Sequence, residues 1–109
     1  MKADITTQEH IVLLVDRFYE KVNKDGLLSP IFNDFANINW KKHMPIMYTF
    51  WGSILLQSVT YRGQPFPKHL KLPVNEKHFE RWLVLFYQTV NENFEGPKAD
   101  EAIQRGLNI

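Results

Sequence analysis

Residues 65–86 read PFPKHLKLPVNEKHFERWLVLF. Three of the chain's six prolines fall here, together with two of its four histidines. The prolines at 65, 67 and 73 forbid a long helix in the first half and leave room for one turn around residues 68–71. That turn sets His69 between Phe66 and the Leu70/Leu72 pair. From Asn75 onward the pattern changes. Asn75 suits a helix cap, and Phe79, Trp82, Leu83, Phe86 and Val90 recur at helical spacing. The stretch is therefore a braced, irregular segment carrying a histidine, joined to an apolar helix running from Glu76 to about Phe94.

The segments on either side are also helical. Thr6 and Glu9 are spaced as a capping box. Ile11, Leu14, Val15, Phe18 and Val22 then make one apolar face, with Tyr19 at its edge. Gly26 is placed to end this helix in a left-handed turn. Residues 27–37, LLSPIFNDFAN, form a corner too apolar for a solvated loop, because Phe32 and Phe35 must fold back over a core. A second helix is expected from near Trp40 to near Gln57, capped by Asn39. Pro45 either kinks it or marks its true start. His43, Met47, Phe50, Trp51 and Ile54 share one face, apolar but for the histidine. Gly96 and Pro97 break the third helix, and Ala99, Ala102, Ile103 and Leu107 mark a short last one. No strand pattern, repeat or low-complexity tract appears. The reading is all-α, in one domain spanning residues 1–109.

Composition narrows the chemistry. A chain of 109 residues buries about 60–70% of its unfolded surface, so the core is thin. Thirteen basic and twelve acidic residues are interleaved, with no stripe for nucleic acid. The absence of cysteine excludes disulfides, thiolate zinc sites, iron–sulfur clusters and a thiol nucleophile. No apolar leader or run near 18 residues is visible, so a soluble, cytoplasmic protein without membrane insertion is expected. Nucleotide-binding, zinc-protease and serine-hydrolase motifs are missing, and no carboxylate pair stands out on an apolar face.

What remains is a histidine constellation. A haem protein needs a neutral imidazole aimed at iron and a flat apolar slot, often with polar donors opposite. His69, His43, Tyr19 and Trp82 supply the polar parts, and phenylalanines at 18, 32, 50, 66, 79 and 86 the walls. Each part also has a plainer reading. His69 suits an exposed loop, His43 a helix end reaching solvent, and Tyr19 and Trp82 a core with one satisfied polar atom. His78, at the start of the third helix, competes with His69 as a ligand. The residues alone leave these alternatives open.

Taken together, RFYEKV around Tyr19, LSPIFN, WKKHMPIMYTFWGSILL, YRGQPFPKHLKL and HFERWLVLF resemble the truncated haemoglobins, most closely their group III branch. The resemblance covers nearly the whole chain. It implies a truncated globin fold, a two-over-two helical sandwich binding haem b. By position, His69 matches the proximal iron ligand. Tyr19, His43 and Trp82 match the distal tyrosine, the distal histidine and the tryptophan facing bound ligand. The implied haem-contacting set is Phe32, His43, Met47, Phe50, Arg62, Phe66, Lys68, His69, Leu72, Phe79, Trp82 and Phe86. Arg62, Lys68 and Lys71 lie near the propionates. Two departures stand out: Met47 occupies a place where the family often has an aliphatic residue, and the last helix stops at Ile109 where relatives continue.

The implied function is binding of dioxygen and other diatomic gases, nitric oxide and carbon monoxide among them. The alternative is an enzyme, a nitric oxide dioxygenase or a peroxidase-like activity on peroxide. Nothing in the chain is built for flavin or nicotinamide, so turnover would need a separate reductase. A third possibility, a cofactor-free helical interaction module, predicts no haem uptake.

Overall fold

The computed structural model describes residues 2–35, 37–56 and 76–107. Four α-helices follow one another: α1 (Gln8–Lys24), α2 (Trp40–Leu55), α3 (Glu76–Asn93) and α4 (Pro97–Leu107). A π-helical turn, Pro30–Phe35, forms the corner between α1 and α2. Helix α1 packs on both α2 and α3, and α4 packs on α3 and touches α2. The result is an all-α sandwich of two helical pairs. Among the described residues no strand forms, apart from an isolated bridge between Ala3 and Phe94. None of the described helices is long and apolar enough to cross a membrane.

The apolar stripe of α1 is the centre of the core. Ile11, Leu14, Val15, Phe18 and Val22 are all buried, as the spacing requires. Full burial of each such side chain contributes roughly 1.5–3 kcal/mol. Tyr19 does not lie at the edge of this face; it is 4% exposed and belongs to the core. The corner and α2 cover the flank that helical periodicity alone leaves open.

Both ends of α1 differ from the sequence reading. The cap is Thr7, whose hydroxyl accepts from the His10 N–H at 3.2 Å. His10 closes the box by accepting the Thr7 N–H on Nδ1 at 3.2 Å. The His10 ring nitrogen here does what the Glu9 carboxylate, one residue earlier, was expected to do for Thr6. At the other end Gly26 is not left-handed; Gly96 is the only described glycine with positive φ. Asp25 stops the helix in an extended conformation. Its carboxylate accepts the N–H groups of Leu27 at 3.1 Å and Leu28 at 2.9 Å, an Asx turn that turns the chain into the corner.

The corner folds back as expected, with Phe32 5% exposed. Asn37 then adopts φ 51°, a left-handed conformation that asparagine tolerates. The Ile38 N–H donates to the Phe32 carbonyl at 3.0 Å, and α2 begins at Trp40. Asn39 is its cap residue but makes no side-chain cap bond. Pro45 lies inside the helix rather than at its start.

Gly96 and Pro97 break α3 from α4 as the sequence implies, and Gly96 has φ 138°. A Cβ there would meet the Asp4 carboxyl carbon at 2.7 Å. Asp4 caps α4 from the far end of the chain, accepting from the Lys98 N–H at 3.0 Å and the Ala99 N–H at 2.9 Å. Burial opposes ionisation of Asp4. The N–H groups of Lys98, Ile5 and Ala99 and the Lys98 charge outweigh it and hold the carboxyl below its ordinary value. Its stabilisation is therefore complete above the ordinary carboxylate pKa and is lost as pH falls through the lower folded value. Asp4→Ala is expected to cost about 1 kcal/mol. Thermal melts should show the gap from wild type at neutral pH and its disappearance in acid; an equal gap at all pH would refute the capping role.

Candidate functional site

Tyr19, His43 and Met47 meet where α1 crosses α2. The i, i+4 spacing on α2 puts His43 and Met47 on the face turned to α1. Both are buried, at 6% and 3% exposure. The Tyr19 hydroxyl donates to the Met47 Sδ at 3.3 Å. A thioether is a weak acceptor, so this bond holds the hydroxyl only lightly. Burial pushes the Tyr19 pKa well above the usual phenol value, so the O–H remains a donor. Burial also lowers the His43 pKa, so its imidazole is neutral at pH 7.

Aromatic rings tile this cluster. Tyr19 is 5.6 Å from His43, 5.3 Å from Trp40 and 5.0 Å from Phe18, between ring centroids. Phe32 stands 6.3 Å from Tyr19. Trp40 also meets His43 edge-on at 5.6 Å. The sequence reading used Trp40 only as a helix start. Its place against both polar rings depends on the corner folding back, which no local pattern reveals.

Trp82 belongs to a second aromatic group. It stacks on Phe86 at 5.2 Å and lies parallel to Phe79 at 6.5 Å. Phe86 in turn stacks on Trp51 at 4.9 Å. The resulting wall runs from the core to Phe79, which is 44% exposed. Phe18 joins the two groups, edge-on to Trp82 at 5.0 Å and touching Tyr19 on its other side. Gly106 lets α4 approach the wall closely, since a Cβ there would lie 3.1 Å from the Phe86 ring. Phe50 is half-buried and packs on Trp51 at 5.4 Å. The structure thus brings Tyr19, His43, Met47 and Phe32 together and sets Trp82, Phe86 and Phe79 in an adjoining wall. His69, with Arg62, Phe66, Lys68, Lys71 and Leu72, lies outside the described residues.

A helical sandwich with two buried polar rings beside an aromatic wall defines a class, and the comparisons agree with it. Residues 3–108 match the model of the bacterial-like globin family, and the chain belongs to that family. It is 39% identical, over 113 residues, to a group 3 truncated hemoglobin of Campylobacter jejuni, an alignment spanning all of this chain and 89% of the relative. The crystal structure of a group III truncated hemoglobin from Campylobacter jejuni superposes with a TM-score of 0.83 at 38% identity. That match covers 99% of this chain and 88% of the other. The fold is the all-α truncated globin fold. Membership of a globin family implies a haem cofactor and supports haem-based gas binding.

The described residues fit one. A flat macrocycle suits an aromatic wall that opens at Phe79. A hydroxyl donor lightly held by sulfur, next to a neutral imidazole, suits a small polar guest.

Proposed function

We propose that this protein binds dioxygen and other diatomic gases at a haem b held by His69, with Tyr19, His43 and Trp82 facing the ligand. The observation that carries this reading is the buried Tyr19 hydroxyl, whose acceptor is the Met47 thioether beside the neutral His43 ring. Haem supplies an iron that binds diatomic gases and exchanges electrons with them. Arg62, Phe66, Lys68 and Leu72 join His69 in holding it, and Phe32, Met47, Phe50, Phe79 and Phe86 line it.

The chain's own part is to hold the guest. Tyr19 turns its O–H from sulfur to a better acceptor at little cost. Trp82 offers an indole N–H that can only donate. His43 adds an uncharged ring, so a polarised guest meets donors without a buried positive charge. Each neutral hydrogen bond contributes about 1 kcal/mol. Tyr19 and Trp82 together slow release roughly ten- to hundredfold. Retention of that strength favours sensing, scavenging or redox chemistry on the gas over its delivery.

Absorption spectra of the purified protein, oxidised, reduced and with carbon monoxide, test the reading. A Soret band with one-to-one haem uptake is expected. No band and no uptake after expression with ample haem would overturn it in favour of a cofactor-free interaction module. Steady consumption of nitric oxide with a supplied reductase would identify the enzyme; reversible binding alone would identify the binder.

A further inference from the structure

Asn33 sits in the π-helical corner with its amide fully committed. Its Nδ2 donates toward the Asn23 Oδ1 at 2.8 Å, the Ser29 carbonyl at 3.1 Å and the Ser29 Oγ at 3.2 Å. With the nitrogen side occupied, the oxygen side has one orientation. It accepts the Trp40 indole N–H at 2.7 Å. The end of α1, the corner and the first residue of α2 are thereby pinned to one another through side chains.

Trp40 in turn touches the two polar rings of the site. It lies 5.3 Å from Tyr19 and 5.6 Å from His43, and those two lie 5.6 Å from each other. The three rings form a closed triangle. Trp40 and His43 are three residues apart on α2, so they share a face and crowd each other. Trp40 also borders an open cleft of about 270 Å³, which it lines together with Asp16, Tyr19, Glu20, Asn23 and Met44. The half-buried indole therefore has open space beside it to move into, and the bond to Asn33 opposes that movement.

We infer that Trp40, clamped by Asn33, is a positioning residue for the gas site: it sets how Tyr19 and His43 face the guest. This rests on the gas-binding reading above. Without the clamp, the indole leaves the triangle and the Tyr19 and His43 rings take up a second arrangement. The Tyr19 hydroxyl adds only a light restraint of its own, because its hydrogen bond ends on sulfur.

The test uses two variants of the full chain. Asn33→Leu removes the acceptor and Trp40→Phe removes the donor. On the haem-loaded carbon monoxide adduct, both should shift or split the C–O infrared stretch. They should also change carbon monoxide association by about threefold or more, the low end of coupling within one network. Unchanged bands and rates in both variants would overturn the inference. A second readout needs no cofactor: nuclear Overhauser contacts of Trp40 with the Tyr19 and His43 rings in the protein as purified. They should vanish in Asn33→Leu; their persistence there would overturn the clamp. A wild type without a Soret band signals failure of the gas-binding reading alone, and the Overhauser contacts then decide the clamp.

Discussion

His69→Ala is expected to abolish stable haem uptake, while His78→Ala leaves it intact. The four histidines are distinguishable by what holds them. His10 is engaged in the α1 cap, its Nδ1 accepting the N–H groups of Thr6 at 3.0 Å and Thr7 at 3.2 Å. His43 packs against both Tyr19 and Trp40. His78 is the third residue of α3, on its opening turn. In the sequence His69 falls among prolines at 65, 67 and 73, residues that oppose a long helix. Losing a partner that merely supports a metal ligand costs about ten- to hundredfold in affinity, and losing the ligand itself should exceed that. Haem titration followed at the Soret band measures it. Added imidazole should restore a histidine-like spectrum to His69→Ala by filling the space left by the side chain. Normal uptake by His69→Ala, with loss in His78→Ala, would transfer the ligand role to His78.

Tyr19→Phe is expected to speed dioxygen release about five- to tenfold while changing stability by less than about 1 kcal/mol. The two effects separate because the hydroxyl has unequal partners. In the protein it rests on the Met47 thioether at 3.3 Å, and losing so weak a bond costs the fold little. The ring contacts with Phe18, Trp40 and His43 all survive in phenylalanine. The donor to the guest does not. Because burial raises the Tyr19 pKa, the difference between wild type and variant should persist from neutral into mildly alkaline solution. Stopped-flow release rates and thermal melts measure the two halves separately. An unchanged release rate would mean that the hydroxyl stays on sulfur and Trp82 carries the guest.

The helices were largely legible because their signals are local. Pro97 opens α4, and the apolar spacing of α1 predicted its buried face residue by residue. Boundaries were missed where two neighbouring residues offered the same chemistry. Thr6 and Thr7 both suit a cap, and the choice of Thr7 hangs on His10 supplying an acceptor that Glu9 was expected to supply. Asp25 and Gly26 both suit a stop, and the carboxylate prevailed by taking two backbone N–H groups at once. Of the candidate residues singled out from sequence, Tyr19, His43 and Met47 come together, and Trp82 stands in the adjoining aromatic wall. Trp40 was missed because its partners lie on α1 and in the corner, out of reach of any helical repeat.

By itself the sequence determined the all-α class, the buried faces of the helices and the residues that resemble a haem site. These follow from periodicity, capping and breaking residues, whose effects reach only a turn or two along the chain. Tertiary structure alone decided that Asp4 caps a helix 94 residues away, that Tyr19 is core, and that Trp40 closes a triangle with Tyr19 and His43. Each of these is a contact between segments that no local rule brings together. The last two form because burying the apolar faces of α1 and α2 against each other carries their few polar groups inside, where each must find a partner from another element.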